Sequence, residues 1–313
     1  MKRYVAQRLL QLIPILLGVT ILSFGLIHVV AGDTVDIMET NRGTALSTET
    51  KAKLRAELNL DKPFVVQYGI WLKNTLSGDM GKSFVSGKPV FSIFIEKLPA
   101  TIILTIASII CTIIISFPLG FISAVNHNKW SDYLIRFFSF VGNSLPGFLV
   151  ALLLIYVFSL QLNLLPIINS SINLHSLIMP VMTLTIAMSA KYIRQIRSIV
   201  LEELQKDYVI AAKARGISEK TILLTDVFKV TLLSFITLIS LSIGSLLGGT
   251  AIIESIFMWD GVGKLAVDAI LMRDYPVILA YVVWLAIIYV IFNLIADILY
   301  HYLDPRIRLG LKE

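Results

Sequence analysis

The sequence predicts an all-α integral membrane protein with six transmembrane helices. Of its 313 residues, 56% are hydrophobic and only 15% are charged, whereas soluble domains carry about 25% charged residues. Long apolar runs recur along the chain, and a bilayer core needs about 20 apolar residues in one α-helix. Lysine and arginine gather between these runs, as in the cytoplasmic loops of membrane proteins. The net charge of +6 therefore fits a membrane protein, and we expect no nucleic-acid partner.

The first predicted span is Leu9–Ala31, which with the N-terminal tail makes up segment 1–31. This run is longer than the apolar part of a secretory signal, and no small-x-small cleavage site clearly follows it. We therefore interpret it as an uncleaved helix.

Segment 32–99 is predicted to form a small extracytoplasmic subdomain. Ser47 and the residues after it are typical of a helix start, with a short helix over Lys51–Leu60. Pro63 opens a second helix that carries Phe64, Tyr68 and Trp71.

Segment 100–300 holds the remaining spans, and segment 301–313 is predicted to be a cytoplasmic tail. The spans are expected at Ala100–Val125, Phe137–Leu160, Leu174–Ala190, Thr231–Ile253 and Tyr275–Ala296. The run from Leu174 is short, and we expect its helix to continue into Lys191–Val200. Pro146-Gly147 marks either a functional kink or ordinary tolerance of proline and glycine in membrane helices. The G-x-x-x-G-G run at Gly244–Gly249 favours close helix packing.

Positive charge predicts the orientation. If the N-terminus is cytoplasmic, the inner segments contain most of the lysine and arginine, above all segment 191–230. Both termini are therefore expected inside the cell.

The apolar centres of the spans contain almost no ionisable groups. Secondary transporters and voltage sensors keep such groups inside the membrane for their work, so their absence indicates that the driving force comes from elsewhere. A self-sufficient secondary transporter, which would need ion-binding groups at mid-membrane, is the second hypothesis. Glu254 and Asp297 lie at predicted span ends, where water or headgroups would solvate them. Cys111 is alone and is expected to be a buried apolar residue.

No catalytic or metal-binding pattern stands out in the sequence. Gly81-Lys82-Ser83 resembles the end of a phosphate loop, but the required earlier glycine is Leu76. The histidines are scattered, without ligand spacing. We therefore expect no nucleotide site, catalytic residue, cofactor or metal in this chain.

Segment 191–230 predicts a helix, a tight turn and a helix that returns to the membrane. A glycine at 216 is a natural helix stop and Ser218 a natural N-cap. Ala211, Ala212 and Ala214 have small side chains that would let a partner's backbone come close. The alternative is an amphipathic helix on the membrane surface, but the large apolar residues that favour such anchoring are few. We favour protein docking.

The order of several short motifs resembles one family along the whole chain. These motifs are RLLQLIPILLGVT at Arg8–Thr20, LDKP at Leu60–Pro63, GDMGKS at Gly78–Ser83, LPAT at Leu98–Thr101, the segment Asp207–Gly216, ESIFMWDGVG at Glu254–Gly263, RDYPV at Arg273–Val277 and DPRIR at Asp304–Arg308. Together they resemble the inner-membrane permeases of bacterial ABC importers, in the dipeptide, oligopeptide and nickel branch. The resemblance implies the type I (MetI-like) permease fold.

The resemblance further implies that the segment around 201–218 contains a coupling helix that sits in a groove of a cytoplasmic ATPase. The residues assigned to this helix are Asp207, Tyr208, Ala211, Ala212, Ala214 and Gly216. Two positions depart from the family pattern: Ile210 replaces a glutamate, and Ser234 replaces a proline.

The implied partners are a second, homologous permease, two cytoplasmic ATPase subunits that hold ATP and magnesium, an extracytoplasmic binding protein and membrane lipid. The implied solute is a short peptide or nickel, often as a chelate. The compact segment 161–173 and the short chain resemble the nickel-type members somewhat more closely. The sequence identifies no residue of the translocation pathway.

Overall fold

The structure is a computed structural model that describes residues 2–30, 35–36, 39, 47–57, 59–166 and 173–303. Within these residues the chain forms α-helices and no strand; Lys82 and Pro89 make an isolated β-bridge. The helices are α1 (Lys2–Val30), α2 (Thr48–Glu57), α3 (Phe64–Leu76), α4 (Val90–Val125), α5 (Trp130–Ser144), α6 (Gly147–Leu154), α7 (Leu174–Glu203), α8 (Asp207–Ala214), α9 (Glu219–Ile222), α10 (Phe228–Ile256), α11 (Val262–Leu271) and α12 (Tyr275–Leu303). Short π-helical stretches continue α6 over Ile155–Gln161 and join α9 to α10 over Leu223–Val227.

Four helical stretches of the described chain are long and apolar enough to cross a membrane. They are Val90–Val125, Leu174–Glu203, Glu219–Ser240 and Tyr275–Ile295. The pair α5 and α6 provides a fifth if it counts as one span, and the apolar part of α1 is the shorter stretch Ile13–Val29. The all-helical membrane class is confirmed, whereas the number six remains a prediction.

The span predicted over Phe137–Leu160 is not one straight helix. Helix α5 ends at Ser144, and α6 begins at Gly147 at an angle of 102° to it. Between them Leu145 has an extended backbone, with φ −85° and ψ 128°, because the residue before a proline is driven out of the helical region. Pro146 therefore breaks this span, and a functional role for the kink remains a prediction.

The helix from Leu174 does continue through Lys191–Val200, as expected, and ends at Glu203. Asn173 caps it in a capping box: its side chain accepts a hydrogen bond from the backbone of Ser176, and the Ser176 hydroxyl lies 3.2 Å from the Asn173 nitrogen. Helix α4 begins at Val90, so residues 90–99 of the predicted external subdomain are the first turns of a spanning helix. The two predicted external helices are present as α2 and α3.

The chain separates into two compact units. Unit 1 comprises Met1–Thr101 and Asp260–Ile291. Its apolar core includes Val90, Phe94 and Val277, and the Phe94 ring stacks on Trp284. A second aromatic group joins α1 to α3, through Phe24 and its neighbours Phe64, Tyr68 and Trp71.

Asp274 ties two distant segments of unit 1 together. Its buried carboxylate accepts a hydrogen bond from the Ser83 hydroxyl and another, at 3.0 Å, from the backbone N–H of Phe84. The segment Gly81–Ser83, which resembles the end of a phosphate loop, is therefore part of a turn anchored on Asp274.

Unit 2 comprises Ile102–Trp259 and Phe292–Glu313. Its core brings together Phe117 of α4, Tyr192 and Ile196 of α7, and Phe235 of α10. Helices α4 and α7 cross closely at Gly120, where an added Cβ would lie 2.7 Å from the Cβ of Ile196. This core carries the short helix α8 on one side.

Candidate coupling surface

Short connections join helix α8 to α7 on one side and to the helical stretch of α9 and α10 on the other. Helix α7 ends at Glu203, and α8 begins at Asp207 after three intervening residues. The side chain of Lys206 forms an ion pair with the nearly buried Glu203 at 2.5 Å. The connection is therefore a tight turn.

The end of α8 is a complete Schellman motif. The backbone N–H of Gly216 donates to the carbonyl of Lys213 at 2.9 Å, and that of Ile217 donates to the carbonyl of Ala212 at 3.2 Å. This motif needs a left-handed residue after the last helical turn, and Gly216 has φ +78°. Gly216 is thus the helix stop that the sequence predicts.

The return helix begins at its predicted cap. The Ser218 hydroxyl accepts a hydrogen bond from the backbone N–H of Thr221 at 3.3 Å. From α9 the chain continues through the π-helical stretch into α10 without leaving helical geometry. Ser234 lies inside α10, so the missing family proline leaves an uninterrupted helix at this point.

The residues of α8 divide into a buried side and an exposed side. Val209 and Ala212 are buried in the core of unit 2. The other assigned residues, Asp207, Tyr208, Ala211, Ala214 and Gly216, are exposed. Ala212 therefore positions α8 from within, and it does not lie on the surface that the sequence hypothesis gave it.

Ile210 also lies on the exposed side, with 57% of its area accessible. The surface around it contains small, apolar and aromatic groups in place of the family glutamate. Lys213 and Glu219 form an exposed ion pair at 2.9 Å, and Arg215 is exposed beside them. This surface can receive a partner's backbone closely, with positive charge at its edge.

A buried ion pair near this surface was missed from the sequence. Arg197 of α7 donates to both oxygens of Asp132 of α5, each at 2.8 Å. Ser123 donates to the same carboxylate at 2.6 Å, and the backbone N–H of Asn128 donates at 3.0 Å. In the sequence, Arg197 is one of the many basic residues of segment 191–230. The sequence offered one indication of this pair: Asp132 is an acid in the first turn of α5, a helix rich in aromatic residues.

Glu254 corrects a second expectation. Its side chain has no accessible area, so neither water nor headgroups solvate it, although it lies near the end of α10. The side chains of Asp297 and of the tail 301–313 fall outside the described part, as do all of residues 167–172. Among the described residues, no three His, Cys, Asp or Glu side chains come together as a metal site.

Two family descriptions match this chain. The binding-protein-dependent transport system inner membrane component matches residues 116–309, and the N-terminal part of such membrane components matches residues 1–105. The chain belongs to this family. It is a multi-pass permease of the inner membrane, and the hypothesis drawn from the motif order is confirmed.

Curated relatives match this permease over almost its whole length. The oligopeptide transport system permease protein AppB of Bacillus subtilis is 39% identical, over 98% of this chain and 99% of the relative. The nickel import system permease protein NikB of Staphylococcus aureus is 37% identical, over 97% of this chain and 91% of the relative.

The permease also shares its fold with a solved structure. An inward-facing form of the MetNI methionine ABC transporter matches with a TM-score of 0.57, at 15% identity, over 68% of this chain and 96% of that chain. At this identity the likeness shows the fold alone.

Proposed function

We propose that this permease is one half of the transmembrane pathway of a bacterial ABC importer, with α8 as its coupling helix. An extracytoplasmic binding protein delivers the solute, a second homologous permease completes the pathway, and two cytoplasmic ATPases bind ATP and magnesium. Full-length likeness to an oligopeptide permease and a nickel permease supports both solute classes. The proposed solute is therefore a short peptide or a nickel chelate.

The observation that carries the coupling role is the burial pattern of α8. A helix that must transmit force needs a rigid attachment to its own protein and an open face towards its partner. Val209 and Ala212 supply the attachment, while Ala211 and Ala214 give exposed positions with short side chains beside Tyr208 and Ile210. The Schellman motif at Gly216 caps the C-terminal end of the helix and limits fraying there.

In this proposal α8 lies in the cytoplasm, with both termini inside the cell. The basic residues of segment 191–230 support that orientation. When the ATPases close on ATP, they move α8, and because α8 shares a core with α4, α7 and α10, the spanning helices move with it. The contacts between α8 and the ATPase must then differ in free energy between the inward and outward states.

The test places a large side chain on the exposed face of α8. Ala211→Trp and Ala214→Trp should reduce ATP-driven uptake and ATPase stimulation in the reconstituted importer, since the partner's backbone could no longer come close. Ala52→Trp is the matched control, because Ala52 is an exposed alanine of α2 in unit 1. Equal uptake in all three variants would contradict the coupling role.

The second hypothesis, a self-sufficient secondary transporter, predicts a different result. It requires uptake by this chain alone in proteoliposomes, driven by a proton or sodium gradient without ATP. The importer proposal expects no uptake from the chain alone and ATP-dependent uptake from the complex.

A further inference from the structure

A cleft of about 770 Å³ opens on unit 2 beside α5 and α7. Its walls are mainly apolar and aromatic, and its charged groups are guanidinium groups. The aromatic walls are Trp130, Tyr133, Phe137 and Phe140, and the positive charges are Arg136, Arg194 and Arg197.

The three arginine side chains of the cleft differ in whether they already have a partner. Arg197 is engaged by Asp132, the only acid of α5, through both of its oxygens. Arg136 and Arg194 are exposed, and neither makes an ion pair with a described residue; the Arg136 guanidinium lies 5.8 Å from the centre of the Tyr133 ring. Two guanidinium groups are therefore open to an anion, and a planar fork of donors suits phosphate oxygens.

The aromatic walls select among the possible anions. Trp130 is 78% exposed, and Phe137 and Phe140 are 60% and 65% exposed. Tryptophan and tyrosine are concentrated where a membrane helix meets the headgroup region. An apolar surface of this size next to two free cations fits a molecule that has a phosphate and acyl chains.

We propose that this cleft binds one anionic phospholipid, with Arg136 and Arg194 on its phosphate and the aromatic side chains of α5 against its acyl chains. The inference goes beyond importer function and requires only that α5 and α7 lie in a membrane. A protein partner on the same face would have to supply two acids in register or bury the guanidinium groups unpaired, which is costly. Anionic lipid in the bilayer supplies the countercharge directly.

The first test uses native mass spectrometry of the purified full chain with added phosphatidylglycerol or phosphatidylcholine. We expect selective retention of phosphatidylglycerol, lowered about fivefold for each arginine in Arg136→Gln and Arg194→Gln. The Arg136→Lys/Arg194→Lys variant should keep most of the selectivity. Lys62→Gln/Lys73→Gln removes two positive charges, as many as the two arginine substitutions together, from exposed positions of unit 1. This control should leave the selectivity for phosphatidylglycerol unchanged.

Two results of this test would overturn the proposal. One is equal loss of selectivity in the Lys62→Gln/Lys73→Gln control, which would assign it to net charge. The other is displacement of the lipid by glycerol phosphate alone, which would assign the cleft to a soluble phosphate.

A second test measures the location of the lipid in the folded chain. Brominated phosphatidylglycerol should quench the tryptophan fluorescence that Trp130 contributes, and this quenching should be absent in Trp130→Phe. Brominated phosphatidylcholine should quench the Trp130 fluorescence less. In the assembled importer, Phe137→Cys with Cys111→Ser should react with a lipid-soluble maleimide. Cross-linking of this cysteine to the second permease would show a protein interface and refute the lipid site.

Discussion

Arg197 holds both carboxylate oxygens of Asp132, with each nitrogen-to-oxygen distance at 2.8 Å. The pair joins the start of α5 to the last turns of α7, and α8 follows α7 after three residues. Ser123 adds the end of α4 to the same carboxylate. One buried acid thus joins α4, α5 and α7 near the point where the chain enters α8.

We expect Asp132→Ala to lower the free energy of unfolding by about 3 kcal/mol, because it leaves a largely buried guanidinium without its partner. Arg197→Lys should also be destabilising, since an ammonium group cannot hold both oxygens in a fork. Denaturation in mixed micelles, followed by tryptophan fluorescence, measures both effects.

The matched control for this pair is Lys213→Ala/Glu219→Ala, which removes an ion pair whose side chains are 47% and 76% exposed. Such pairs contribute about 0–1 kcal/mol, so this variant should unfold close to wild type. If Asp132→Ala were as stable as that control, the buried pair would not stabilise the unit.

Gly120→Ala should destabilise unit 2 by about 1–3 kcal/mol. The added Cβ would lie 2.7 Å from the Cβ of Ile196 and 2.9 Å from the carbonyl oxygen of Ile193, so α4 and α7 would have to separate. Gly69→Ala in α3 is the control, because nothing lies within 4 Å of the added Cβ and alanine is the better helix former. Thermal unfolding should distinguish the two variants, and equal midpoints would refute the close crossing.

Gly216→Ala should loosen the end of α8, because an alanine at φ +78° costs about 1–2 kcal/mol. Trypsin cleavage after Lys213 and Arg215, identified by mass spectrometry, should accelerate about fivefold or more if local opening precedes cleavage. Gly216→Asn tolerates the left-handed conformation better and should lie between alanine and wild type. Unchanged cleavage in Gly216→Ala would show that the cap does not hold the helix.

The turn chemistry around α8 could be predicted because it is local. A glycine stop at Gly216 and a serine cap at Ser218 depend on residues within one helical turn, and both are present. The burial of Ala212 depends on contacts with other helices, so the order of small residues alone placed it on the wrong side.

Contacts between residues far apart in the chain could not be predicted from the sequence. Asp132 and Arg197 look like an isolated acid and one of many basic loop residues until the fold brings them together. Pro146 indicates a break in the helix, but the angle of 102° between α5 and α6 depends on how both helices pack on α7. The grouping of residues 260–291 with the N-terminal part of the chain likewise has no local signal.

Asp274→Ala should release the turn that contains Ser83. The buried carboxylate accepts from the Ser83 hydroxyl and from the Phe84 N–H, and each buried donor left without a partner costs about 1–3 kcal/mol. Trypsin should then cleave faster after the exposed Lys82. Asp79→Ala is the control, since that exposed carboxylate accepts only a local bond from Gly81 at 2.9 Å. Because Asp274 and Ser83 both lie in unit 1, cleavage that stays at the wild-type rate in Asp274→Ala would mean that the Asp274 anchor does not hold this turn.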